Sequence, residues 1–214
     1  MTAAPSVLAR TVWTPLLLIV LLAAIVVLAW SFGSGTLQRT VVEMLIRVVL
    51  VVGIWIFVGN SGIISFGHVG FMCLGAYAAA WLTIPPMLKQ ITLRGLPEIV
   101  LTNQFPFWPS ALAASLLPAV VALVLGPILM RLAGIAASIA PFALLAVINT
   151  VYANWSSVTG GTSSIVGIPI RTDLWLALAA AAVAIFLAHV YAISRSGLAL
   201  RAARDEAIAA QASG

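Results

Sequence analysis

VWTPLLLIVLLAAIVVLAWSF, residues 12–32, is a run of apolar side chains without a single charge. A helix needs roughly 20 such residues to cross the hydrocarbon core of a bilayer, so this run is long enough to span it. Arg10 in front of it invites comparison with a secretory signal, but the apolar core of a signal is usually about 7–15 residues long. No small-residue cleavage site follows a shorter apolar core, and the run reads as a retained first membrane helix.

Working outward, five more segments meet the same length requirement: 41–59, 63–84, 109–131, 133–155 and 174–193. Backbone groups in lipid must be bonded within the segment or in a closed barrel, and no alternating barrel pattern is present. The expectation is therefore an all-α polytopic membrane protein with about six transmembrane helices. Residues 1–193 would form the membrane domain and 194–214 a cytoplasmic segment. Two connections are more polar. Pro85–Trp108, with Lys89, Arg94, Glu98, Asn103 and Gln104, suits a loop or interfacial helix; Ser156–Asp173 carries a glycine pair and Pro169.

Composition supports the class. Apolar residues make up 63% of the chain and charged residues 7%, against about a quarter charged in soluble domains; the mean hydropathy is +1.19. The net charge of +5 does not indicate nucleic acid, because the basic residues are scattered singly with no cluster to follow a phosphate backbone. The single cysteine, Cys73, excludes an intrachain disulfide and reads as a small buried side chain. No metal spacing, no paired carboxylates and no Ser-His-Asp set occurs, so neither catalysis nor a cofactor is expected.

With six spans, both ends share one side with Arg10, Arg131, Arg195, Arg201 and Arg204; Arg39, Lys89, Arg94 and Arg171 fall on the other. The arginines concentrated in the tail place both termini in the cytoplasm.

A few residues break the apolar pattern. Glu43 and Arg47 lie four apart in the second span, in the favourable acid-before-base order. They either snorkel or pair structurally, or they line a pathway. His68, in Ser65-Phe66-Gly67-His68-Val69-Gly70-Phe71, would share a helix face with Ser65, Met72, Gly75 and Ala79. It is either a buried hydrogen-bonding residue or part of a gate, with Ser65, His68, Gly70 and Gly75 as candidate pathway residues. Thr159-Gly160-Gly161-Thr162 lacks the lysine and spacing of a phosphate loop. A flexible turn and a docking or entry loop both remain open.

Three segments together resemble one family. Gly59-Asn60-Ser61-Gly62-Ile63-Ile64-Ser65-Phe66-Gly67-His68-Val69-Gly70-Phe71, followed by Gly75-Ala76-Tyr77, is similar to the glycine–histidine signature of branched-chain amino acid ABC transporter permeases. Asn154-Trp155, Thr159-Gly160-Gly161-Thr162 and Gly167-Ile168-Pro169 resemble a periplasmic loop of the M-type subunit of the leucine/isoleucine/valine system. Ser196–Ala202, Arg204-Asp205-Glu206 and Ile208–Gly214 look like its ATPase-coupling segment.

The resemblance implies an inner-membrane permease working with a second permease subunit, two cytoplasmic ATPases and a periplasmic substrate-binding protein. Arg201, Arg204, Asp205, Glu206, Ala209, Ala210 and Gly214 would engage the ATPase. Family members continue into further membrane helices beyond this point, so the expectation is a chain truncated or split relative to them. Ile208 stands where wider importers carry Glu in this motif. Competing readings are a permease for urea or short amides, a membrane subunit that assembles without conducting, and a secondary transporter. The last is disfavoured because Glu43 is the sole carboxylate expected inside the membrane.

Overall fold

The computed structural model describes residues 7–129, 131, 132, 135–206 and 210, and among these it is all-α, with no strand. The helices in chain order are α1 (Val7–Phe32), α2 (Gly35–Ser61), α3 (His68–Thr83), α4 (Pro86–Thr92), α5 (Glu98–Thr102), α6 (Phe107–Leu129), α7 (Ile135–Asn154), α8 (Ser156–Thr159), α9 (Leu174–Ile193) and α10 (Arg195–Asp205). They fall into two compact units, residues 1–62 with 172–214, and residues 63–171.

The first unit is built from α1, α2, α9 and α10. Its core is Leu22, Val26 and Ala29 of α1, Val41 and Leu45 of α2, and Leu174, Ala177, Ala181 and Ile185 of α9. The α9 residues recur at intervals of three and four, one face of a helix, and the alanines among them let backbones approach closely where lipid supplies no hydrophobic driving force. Asp173 starts α9 by accepting a hydrogen bond from the Leu176 amide at 2.9 Å, which satisfies one of the free donors of the first turn. Trp30 and Trp175 meet edge to face at 6.3 Å beside that end, an arrangement suited to an aromatic belt at the membrane surface.

In the second unit α3 packs against α6 and α7. Leu74 of α3 with Ile148 and Tyr152 of α7 forms one buried cluster. Tyr77 meets Tyr152 at 4.6 Å, ring edge to face. A second cluster, Ala80, Ile84, Leu93, Leu96 and Val158, closes the unit under its polar connections. There the Trp81 indole donates to the Val158 carbonyl at 2.9 Å.

The expected spans meet the structure unevenly. Residues 174–193 form α9 with the expected bounds, and α2 extends beyond 41–59 at both ends. The third span does not run from 63 to 84. Residues 63–67 are irregular after Gly62, and α3 is 16 residues long, or about 24 Å at 1.5 Å per residue, short of the ~30 Å core. Pro85 and Pro86 end it, because proline cannot donate the next helical bond, and the chain turns by 120° into α4.

Among the described residues, four helices are long and apolar enough to cross alone (α1 from Trp13, α2, α6 and α9), or five if α3 and α4 make one broken span. α7, Ile135–Asn154, is an apolar helix of 20 residues. The count is below six, and the class stands: a multi-pass, all-α membrane protein.

The polar connection between α3 and α6 holds α4 and α5. Lys89 is fully buried there. Its ammonium donates to the Val100 and Asn103 carbonyls at 2.9 and 2.8 Å, capping the end of α5 where carbonyls lack helical partners.

Candidate functional site

Three groups of residues singled out in the sequence can now be placed, each within one unit. The first is the start of α3. Gly67 and Gly70 are buried. A Cβ on Gly70 would stand 3.0 Å from Ile148 Cδ1 and 3.5 Å from Leu145 Cα, and one on Gly75 would stand 3.0 Å from the Ala114 carbonyl. These glycines are the contact points of α3 with α7 and α6, close approaches that larger side chains would prevent.

His68 is the first residue of α3 and is half-buried. Its Nδ1 lies 3.4 Å from the Ser65 carbonyl, a long hydrogen bond in the tautomer that protonates Nδ1. Ser65 does not share the helix face of His68, because it precedes the helix in the irregular stretch. What meets His68 is its backbone oxygen.

The second group is the glycine loop. Thr159 is fully buried. Its hydroxyl lies 2.5 Å from the Tyr152 carbonyl and 2.8 Å from the Trp155 carbonyl, and accepts from the Gly161 amide at 3.2 Å. One proton can serve only one of those carbonyls at a time, so the hydroxyl is shared between the ends of α7 and α8. Gly160 and Gly161 follow with φ of 78° and 64°, a left-handed stop at the end of α8. Thr159, Gly160 and Gly161 thus form a lock within the fold, while Thr162, Ser163 and Ser164 stand exposed. Nearby, Thr83, Gln104, Phe105, Phe107 and Arg171 line a depression of about 390 Å³.

The third group is α10. Ser194 caps it by accepting from the Gly197 amide at 3.1 Å while donating to the Tyr191 carbonyl at 2.7 Å. Arg201 donates to the carbonyl of Ala192 at the end of α9. Arg204 donates to the carbonyl of Gly59 at the end of α2 at 2.7 Å and pairs with Asp205 at 2.8 Å. Both guanidiniums therefore cap carbonyls in the last turns of membrane helices, where charge and hydrogen bond act together.

A helix this short is marginal alone in water; α10 is braced by the chain's own helices through the Ala192 and Gly59 carbonyls. Asp205 and Glu206 are exposed. Ala210 is helical and half-buried, and Ala209 and Gly214 lie outside the described residues.

Gly62 makes this seat possible. Its φ is 72°, a conformation natural to glycine, and a Cβ there would lie 2.6 Å from Arg204 Cγ. Sequence reading missed the pairing of Gly62 with Arg204, since nothing local announces a partner so far along the chain. The placement of Arg201 and Arg204 at carbonyl ends was likewise invisible.

Glu43 and Arg47 are both exposed on α2, and among the described residues they form no ion pair with each other. α2 begins at Gly35, so Arg47 stands next to the midpoint of the helix, more than three turns from its start. A charge at the bilayer centre costs about 2.5–3.5 kcal/mol on insertion scales.

Together these features define a multi-pass α-helical membrane protein in which a surface helix is braced against the ends of two long apolar helices. Residues 36–214 match the family model described as branched-chain amino acid transport system, permease component. That is well over half of the chain, and the protein belongs to this family. Comparison with curated proteins and with solved structures gave no match.

Proposed function

We propose that this chain is a membrane permease subunit of an ATP-driven importer for branched-chain or related small amino acids. The observation that carries the proposal is the family match over residues 36–214; the seating of α10 supports it. In this reading both termini lie in the cytoplasm, and the membrane is the bacterial inner membrane. A periplasmic binding protein delivers substrate against the exposed Thr162–Ser164 loop, a second permease completes the pore, and two ATPases dock on the cytoplasmic face. Residues 1–193 form the membrane domain and 194–214 the coupling segment.

The exposed side of α10, with Leu198, Ala202, Ala203, Asp205 and Glu206, is suited to a groove in an ATPase. Closure of the ATPases would move α10 as a rigid body. Arg201 and Arg204 would carry that movement to the ends of α9 and α2, a small helix shift of the kind that switches access. Ser65, His68, Gly70 and Gly75 are proposed to matter through the α3 contacts, which set how closely α6 and α7 approach.

The test is uptake in proteoliposomes containing the chain with its second permease and ATPases. ATP-dependent accumulation of leucine, isoleucine or valine in the presence of the binding protein is the expected outcome. Accumulation of urea or a short amide with no leucine would reassign the substrate. ATP-independent uptake driven by a proton gradient would overturn the importer reading.

A further inference from the structure

The structure leaves a mixed-charge groove on the membrane-spanning helix α2. Thr40, Glu43, Arg47 and Val51 follow each other at intervals of three and four, so they form one stripe on the helix. Beside them Met44, Val48 and Val52 are half-buried and pack on the α1–α2–α9 core. These seven side chains line a groove of about 460 Å³, within the roughly 300–1,000 Å³ usual for small-ligand sites.

Its chemistry is specific. One carboxylate and one guanidinium sit one helical turn apart, roughly 5–6 Å between Cβ atoms, and both are exposed. The Thr40 hydroxyl donates to the Thr36 carbonyl at 3.1 Å and keeps lone pairs to accept another bond. The rest of the lining is aliphatic. Acyl chains cannot satisfy this stripe, since charged groups within membrane helices face protein or a watery path.

We propose that this stripe is a substrate subsite on the translocation path for a zwitterionic amino acid with a branched aliphatic side chain. Arg47 takes the α-carboxylate, with the two-pronged geometry a guanidinium offers. Glu43 and the Thr40 oxygen take the α-ammonium. Met44, Val48, Val51 and Val52 receive the aliphatic side chain. The ligand carries one charge of each sign on two groups bonded to the same carbon, so it neutralises both protein charges at once. A molecule with only one of those charges would leave the other uncompensated, which gives the site a means of discrimination. This inference rests on the amino acid importer reading and deepens it.

The experiment uses the complete transporter in proteoliposomes, with the native thiol removed by Cys73→Ser and a probe thiol placed by Val51→Cys. The rate of maleimide labelling at position 51 is measured with leucine, isoamylamine (no carboxylate) or isocaproate (no ammonium). Leucine is expected to slow labelling several-fold while neither singly charged analogue does. Glu43→Gln and Arg47→Gln, made separately, should each abolish the protection. In the Val51-containing transporter each should lower uptake at subsaturating leucine by roughly tenfold to a hundredfold, as expected for loss of a charge-assisted hydrogen bond.

Leucine uptake by the wild type combined with labelling that leucine never slows would overturn the subsite and leave the importer reading intact. So would a thiol at 51 that no maleimide reaches, or loss of the second permease from purified Glu43→Gln and Arg47→Gln complexes; either would make this face a subunit contact. Failure of the wild type to take up any amino acid would overturn both.

Discussion

Replacing Gly62 with Ala tests how α10 is held. Two costs can be worked out. At φ 72° an alanine sits in the left-handed region, at about 1–2 kcal/mol. The new methyl would also stand 2.6 Å from Arg204 Cγ and 2.8 Å from its Cδ, so the arginine must move and its 2.7 Å bond to the Gly59 carbonyl is lost. Arg204 is 38% exposed, which discounts that bond to about 1 kcal/mol. The sum is roughly 2–3 kcal/mol.

Arg204→Ala should cost about 1 kcal/mol. In the Gly62→Ala, Arg204→Ala double variant only the backbone strain and one lost bond remain. The double variant should therefore fall about 1 kcal/mol short of the sum of the singles. Thermal unfolding of the detergent-purified proteins reads the cycle. In the assembled transporter, Gly62→Ala should also raise the ATP hydrolysed per amino acid delivered, because α10 is no longer fixed to α2. Strict additivity of the two substitutions would refute the contact, and normal coupling with additive stability would refute its role.

Lys89→Met removes the cap of α5 and deprives the Val100 and Asn103 carbonyls of the ammonium donor; a loss of about 2–4 kcal/mol is expected, seen as a lower unfolding temperature, whereas an unchanged temperature would mean those carbonyls find water. Thr159→Val should destabilise by about 1–3 kcal/mol by deleting the shared hydroxyl, while Thr162→Ala should leave stability within about 0.5 kcal/mol and weaken capture of the binding protein, measured by surface-immobilised binding. A reporter active only in the periplasm should work when fused near Arg94 or Ser164 and stay silent near Arg131 or after Gly214; the reverse pattern would remove the ATPase-docking role of α10.

The apolar runs alone were enough to read the all-α membrane class, and residues 174–193 gave α9 its observed bounds, because span length depends on local hydrophobicity summed along the chain. The glycine–histidine, glycine-loop and tail motifs were enough to point to the family. The length of α3 was harder to read. Hydropathy is continuous from Ile63 to Ile84, but Gly62 ends α2, the chain stays irregular up to Gly67 and Pro85 follows the end of α3, and apolarity does not report these breaks.

Tertiary structure alone decided the use of the polar residues. Lys89, read from sequence as one of the polar residues of a loop or interfacial helix, is a buried helix cap. Thr159 is buried on the Tyr152 and Trp155 carbonyls, and the tail arginines turn back onto α2 and α9. In each case the partner is a backbone carbonyl set by packing, and for Arg204 it lies 145 positions away. Every residue offers such a carbonyl, so no pattern of side chains marks the one that will be used.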